Sequence, residues 1–190
     1  MNLLHPAPLP AILLACPWII LTDGFRNRNN LTLPYRRLAR PLPVDPECRR
    51  AFDKLMSRQL RYIIYKLSDD FKEIVIESTS EGATENYDEF REKLVNAQTK
   101  SATGAISKGP RYAVYDFEYK LASGEGSRNK VTFIAWSPDD AGIKSKMVYA
   151  SSKEALKRSL SGIAVELQAN EQDDIEYEQI IKTVSKGTAA

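Results

Sequence analysis

Five cations, Lys144, Lys146, Lys153, Lys157 and Arg158, fall inside the stretch SPDDAGIKSKMVYASSKEALKRSLSG at residues 137–162. Residues three and four apart are neighbours on a helix surface, so helical winding gathers these cations on one outward side. The chemistry they offer is recognition of an acidic surface through charge-assisted hydrogen bonds. Groups suited to covalent chemistry are scarce beside them. The sequence holds one histidine, His5, and two cysteines, Cys16 and Cys48. His5 and Cys16 stand in the first 43 residues, which leaves the rest of the chain without the usual general base or imidazole ligand. Cys48 falls on the apolar face of a predicted helix and reads as a small core residue, its thiol reduced in the cytosol. Asp69 with Asp70, and Asp173 with Asp174, are paired carboxylates, but both pairs sit in predicted turns, where caps and solvated charge are expected. Gly124 and Gly126 lack the third glycine and the following helix of a phosphate loop, so a hairpin is expected there. No Gly-x-Ser-x-Gly, Walker loop or zinc spacing is present. The expectation is a binding protein, not an enzyme, that needs neither cofactor nor metal.

The helix that carries the cations is predicted from apolar residues at Ile143, Met147 and Ala150, then at Leu156, Leu160 and Ile163. The two sets are out of phase, with Glu154 where an apolar residue is due, so a bend is expected at Ser151 and Ser152. Ser137, Pro138 and Asp140 read as its start and Gly162 as its stop. Upstream, Asp45, Pro46 and Glu47 open a helix with an inner stripe of Cys48, Phe52, Leu55 and Met56. YIIYKL at 62–67 and EIVIE at 73–77 read as strands joined by a turn at 68–71, and Tyr87, Phe90 and Leu94 stripe a short helix. Residues 96–109 show little periodicity and are expected to be a surface loop. Strands follow at 111–119, 131–136 and 163–167, then an acidic loop and a terminal helix striped by Tyr177, Ile180, Ile181 and Val184. Strands apolar on both sides need helices on both sides. The fold class is therefore α/β (α+β), a mixed five-stranded sheet flanked by helices on both faces.

A chain of 190 residues suits one domain, and its formal charge is +2. Five of the 27 basic and one of the 25 acidic residues precede residue 45, leaving residues 45–190 at −2. Nucleic acid is excluded as a default partner on that balance. Residues 1–43 have another texture. Their apolar run at 11–21 contains Pro17 and is too short to span a membrane, and it lacks the basic flank and cleavage site of a signal peptide. A disordered appendage or a gene-model artefact is expected, in which the sequon at Asn30 carries no meaning.

The run WSPDDAGIKSKMVYASSKEALKRSLSG, preceded by YAVYDFEY and followed by a short acidic link and a final helix, closely resembles the actin-depolymerising factor/cofilin family, in particular the fungal cofilins. The resemblance covers residues 44–187, with 188–190 as a tail, and implies a single ADF-homology domain behind a non-homologous N-terminal extension. It implies actin as the partner, bound as monomer and filament with ADP-actin preferred, and filaments severed and depolymerised. In the long helix it points to Lys144, Ser145, Lys146 and Met147. A second, filament-binding surface would use Arg128 and Lys130 with Lys182 and Lys186, although the terminal helix matches the family only partly. Phosphoinositides at the membrane surface would meet Lys144, Lys146, Lys153, Lys157 and Arg158. The resemblance further implies a cytoplasmic monomer at the cortical actin cytoskeleton, with the nuclear matrix as a second location. The N-terminal serine that many members phosphorylate has no counterpart in ARPLP at 39–43. Rival readings are a module that sequesters monomers or binds filament sides without severing, and a surface serving chiefly phosphoinositides.

Overall fold

The structure, a computed structural model, describes residues 42–82, 86–100, 106–120 and 126–186. His5, Cys16, the run at 11–21, the sequon at Asn30, Gly124 and the tail at 188–190 lie outside the described residues. Helix α1 (Pro46–Met56) starts where the sequence predicts. The Asp45 side chain accepts a hydrogen bond from the Glu47 N–H at 2.8 Å, and Pro46 occupies the first turn, where its missing N–H leaves no gap. There follow β1 (Tyr62–Leu67), β2 (Ile74–Thr79), α2 (Tyr87–Val95), β3 (Gln98–Lys100), β4 (Ile106–Lys108), β5 (Arg111–Lys120) and β6 (Ser127–Trp136). The chain closes with α3 (Ile143–Ser159), β7 (Val165–Ala169), a 3-10 turn at Gln172–Ile175 and α4 (Tyr177–Lys186). Five strands form one sheet in the order β2-β1-β5-β6-β7, antiparallel except for the parallel pair β6–β7. Parallel neighbours need a crossover, and α3 supplies it.

Alternation along the central strands divides the core in two. Ile63, Tyr65 and Leu67 of β1, with Tyr112 and Val114 of β5, pack on Phe52 and Leu55 of α1 and on Val148, Tyr149 and Leu156 of α3. Tyr62 and Ile64, with Ala113, Tyr115 and Phe117, pack on Phe90 and Leu94 of α2 and on Ile180 and Val184 of α4. Helices thus cover both faces, as strands apolar on both sides require. The second layer is aromatic, with ring centroids 4.4 Å apart for Tyr115–Phe117 and 5.0 Å for Phe90–Tyr115. Such contacts add roughly 0.5–1.5 kcal/mol each beyond the area they bury.

The expected elements differ from the observed ones at several points. In α1 Ala51 is buried and Met56, expected inside, is 47% exposed. In α4 Ile180 and Val184 are buried while Tyr177 is exposed. The inner stripe of α3 is Val148, Tyr149, Ser152 and Leu156, not Ile143, Met147 and Ala150. Val148, Ser152 and Leu156 repeat every four residues without a slip, because Ser152 takes an inner place that an apolar-only count skips. The phase break that called for a bend therefore vanishes, and α3 runs as one helix from Ile143 to Ser159. It begins at Gly142 with no side-chain cap, since residues 138–141 form a turn of their own in which the Ala141 N–H donates to the Pro138 carbonyl.

Within the surface loop expected at 96–109, β3 and β4 pair with each other as two antiparallel strands. Strands of three residues, QTK and ISK, carry no apolar alternation to betray them. Their anchor is Arg111, only 2% exposed. A guanidinium has five N–H donors, and here each has an oxygen. Nε and one Nη bind the two oxygens of Glu77 on β2, that Nη also reaches the Gln98 carbonyl at 2.7 Å, and the other Nη binds Thr99 Oγ1 and the Pro110 carbonyl, both at 2.8 Å. Burial alone would push the Arg111 charge out, but its pairing with Glu77 holds the pKa above the ordinary arginine value. Gly109 lies against Thr99 so closely that a Cβ there would come within 1.8 Å of Thr99 Oγ1.

Candidate functional site

Helix α3 is fixed by Tyr149. Its hydroxyl accepts the Leu67 N–H of β1 at 3.0 Å, its carbonyl accepts the Tyr112 hydroxyl, and burial raises its pKa. With that side turned inward, the opposite side of the first two turns faces solvent. Ile143 is 79% exposed and Met147 42% exposed, with Lys144 exposed beside them. Water-facing apolar side chains next to a cation form an amphipathic surface that nothing else in the described fold covers.

The predicted helix residues separate into distinct roles. Lys144 projects and has no ion pair among the described residues, whereas Lys146 folds back to Asp139, with Nζ 3.2 Å from Oδ1 and 3.1 Å from the carbonyl. Asp139 is exposed, so this pair contributes at most about 1 kcal/mol and can open for a ligand. Ser145 turns its hydroxyl inward, where it finds no hydrogen-bond partner among the described residues. Lys153 and Lys157 converge on Glu166 of β7, at 2.7 and 2.6 Å to its two oxygens, and Lys157 also reaches Glu154 at 3.3 Å. Hydrogen bonds from Lys153 and then Lys157 hold the Glu166 carboxyl below its ordinary range, while Glu166 raises Lys157. Arg158 is exposed. The five cations therefore do not form one open field. Two are counter-charged by a strand residue whose alternation between Val165 and Leu167 was readable, but whose facing element was not.

At the other end, Arg128 is exposed at the start of β6. Lys130 donates from Nζ to the Val184 carbonyl at 2.8 Å, in the last turn of α4, and stands 5.5 Å from the Tyr119 ring centroid. A lysine at a helix C-terminus meets the negative end of the helix dipole, so Lys130 pins α4 to β6. Lys182 and Lys186 are exposed on that helix. The four residues are thereby brought to one region, with Lys130 engaged within it. The paired carboxylates behave as caps and solvated charge: Asp174 accepts the Asn170 and Glu171 N–H groups, and Asp70, bound to Lys72 and Ser68, has its pKa lowered to about 2.

A sheet of this order, crossed by a long helix with an uncovered apolar and cationic side, is matched by a family model. The model for cofilin/tropomyosin-type actin-binding proteins fits residues 41–185. The chain belongs to the actin-depolymerising factor/cofilin family. It is similar to a cofilin of Gibberella zeae, 67% identical over 77% of this chain and 95% of that one, and to a cofilin of Yarrowia lipolytica, 42% identical over 77% and 88%. Among solved structures it resembles the cofilin of Streptomyces griseoflavus, with a TM-score of 0.64 and 35% identity over 76% of this chain and 98% of that one. Plasmodium berghei actin depolymerization factor 2 follows, with a TM-score of 0.61 and 26% identity over 76% and 96%. The relatives align with the ADF-homology fold, the mixed five-stranded sheet that the strand pattern predicts.

Proposed function

We propose that the protein binds actin as monomer and filament, prefers ADP-actin, and severs and depolymerises filaments as a cytoplasmic monomer at the cortical actin cytoskeleton. The observation that carries this reading is the uncovered side of α3, where Ile143 and Met147 stand in water beside Lys144. Their apolar surface gains by entering a cleft, methionine adapts to the cleft's shape, and Lys144 pairs with carboxylates at its rim. Lys146 joins once its exposed pair with Asp139 opens. A second contact through Arg128, Lys182 and Lys186 gives the filament its additional site, with Lys130 holding α4 in place for it. Severing follows from differential binding: a protein that prefers one filament twist shifts subunits toward it and weakens their contacts.

Charge reversal at Lys144 and Lys146 together tests the reading. Binding to both actin forms falls at least about tenfold, as for a loss of 1.4 kcal/mol or more, while the circular dichroism and melting stay close to those of the parent. Unchanged co-sedimentation would remove α3 from the interface. Severing itself is read by filament microscopy, where a protein that only sequesters monomers leaves no breaks. For the second surface the substitutions are Arg128→Ala with Lys182→Ala, sparing Lys130, and the expected loss is larger for filaments than for monomers. Phosphoinositide vesicles compete with actin through Lys144, Lys146 and Arg158, with Lys153 and Lys157 recruited only against the pull of Glu166.

A further inference from the structure

The β3–β4 hairpin contributes little to either core, yet it is held firmly. Arg111 grips Gln98 and Thr99, the Gly109 N–H donates to the Ala97 carbonyl at 3.0 Å, and Lys108 Nζ lies 3.5 Å from Asp140 Oδ2 in the turn before α3. In a strand, residues two apart point to the same side. Ile106 therefore leaves the hairpin on the side of Lys108, the side that meets the approach to α3, and it is 61% exposed. A lone exposed isoleucine means little. Here five large apolar side chains are exposed among the described residues, Met56, Ile106, Ile143, Met147 and Tyr177, and three of them flank the Lys108–Asp140 pair or follow it on α3. Asp140 is three residues before Ile143, so the apolar side of α3 and that of the hairpin begin on either side of one ion pair.

We infer that the β3–β4 hairpin is a second arm of the actin-binding face, in which Ile106 makes a contact with the actin monomer that α3 does not supply. The inference rests on the assignment of α3 as the actin-binding helix. Actin is the occupant because the hairpin is joined through Lys108 and Asp140 to the turn that leads into that face, and the chain belongs to a family of actin-binding proteins. The buried Arg111 anchor keeps the arm in place before binding, so little ordering cost falls on association.

The test titrates the full chain against fluorescently labelled ADP-actin monomers. Ile106→Asp weakens binding roughly tenfold, the effect of a buried apolar contact replaced by a desolvated charge. Ile106→Ser, milder for the strand, weakens it less but measurably, and neither moves the melting temperature because the side chain is largely in water. In hydrogen exchange, the amides of 106–108 gain protection when actin is added. Parent-like affinity of Ile106→Asp, or of a natively folded Ile106→Ser together with unchanged exchange, overturns the inference while the loss at Lys144 and Lys146 leaves the α3 assignment standing. If reversal at Lys144 and Lys146 has no effect either, the α3 assignment fails and the hairpin arm fails with it.

Discussion

Arg111 and Cys48 show how burial redirects a residue's chemistry. Removing the guanidinium by Arg111→Ala leaves Glu77 without its partner and Thr99, Gln98 and Pro110 without their donor. Breaking one side of a buried pair costs about 3 kcal/mol or more, which urea denaturation reads as a lowered midpoint with unchanged slope. Arg111→Lys recovers only part of the loss, because an ammonium cannot bind Glu77 in the bidentate manner while reaching both hairpin oxygens. A midpoint within error of the parent would show that the hairpin holds without this anchor. Cys48 is fully buried, donates from Sγ to the Ile74 carbonyl at 3.4 Å, and has its thiol pushed up to about 12 by burial and by Asp45. Thiolate is the reactive form, so Cys48 in the folded protein resists alkylation at pH 8 and reacts once urea unfolds the chain. The role predicted for it from its helix position, a small core residue, agrees with this environment.

At the scale of elements, the clamp between α3 and β7 sets how much of the cationic helix is available. Glu166 has a lowered pKa in the fold, so the stability it contributes is present above the ordinary glutamate value of about 4.3 and is lost as pH falls through the lowered one. The parent is therefore expected to melt slightly above Glu166→Gln between about pH 7 and about pH 5, with the difference disappearing as pH falls through the lowered pKa. The pair is partly exposed, so its contribution stays within about 1 kcal/mol. The same substitution releases Lys153 and leaves Lys157 with Glu154 alone, and binding to phosphoinositide vesicles rises. Equal vesicle binding by both proteins would show that these two lysines do not meet the lipid. Neither the lysines nor Glu166 announces the clamp in the sequence: the spacing of 153 and 157 is visible, but the strand opposite them belongs to a crossover that only the sheet order defines.

For the whole molecule, packed contacts reach slightly before residue 44, where the domain is expected to start. The Ile74 N–H donates to the Pro43 carbonyl at 2.9 Å, Val44 bridges Ile74, and Leu42 packs against the first core layer. A chain beginning at Pro41 keeps these contacts, and it is expected to melt with the full chain and to sever filaments at least as well. A markedly lower melting temperature or lost severing would make residues 1–40 part of the working protein. The sequence alone determined the order along the chain of the elements that build the main sheet and the covering of both its faces, because apolar alternation records which side of a strand is buried. It also carried the family, through motifs such as YAVYDFEY and KSKMVYASSK. Tertiary structure decided which side of α3 is the inner one. A helix with Ile143 and Met147 on one side and Val148, Ser152 and Leu156 on another offers two candidate stripes, and apolarity cannot distinguish a core from a binding face, since both shed water for the same reason. The choice is made by the sheet, where Tyr149 bonds to β1 and β5 and turns the other stripe outward.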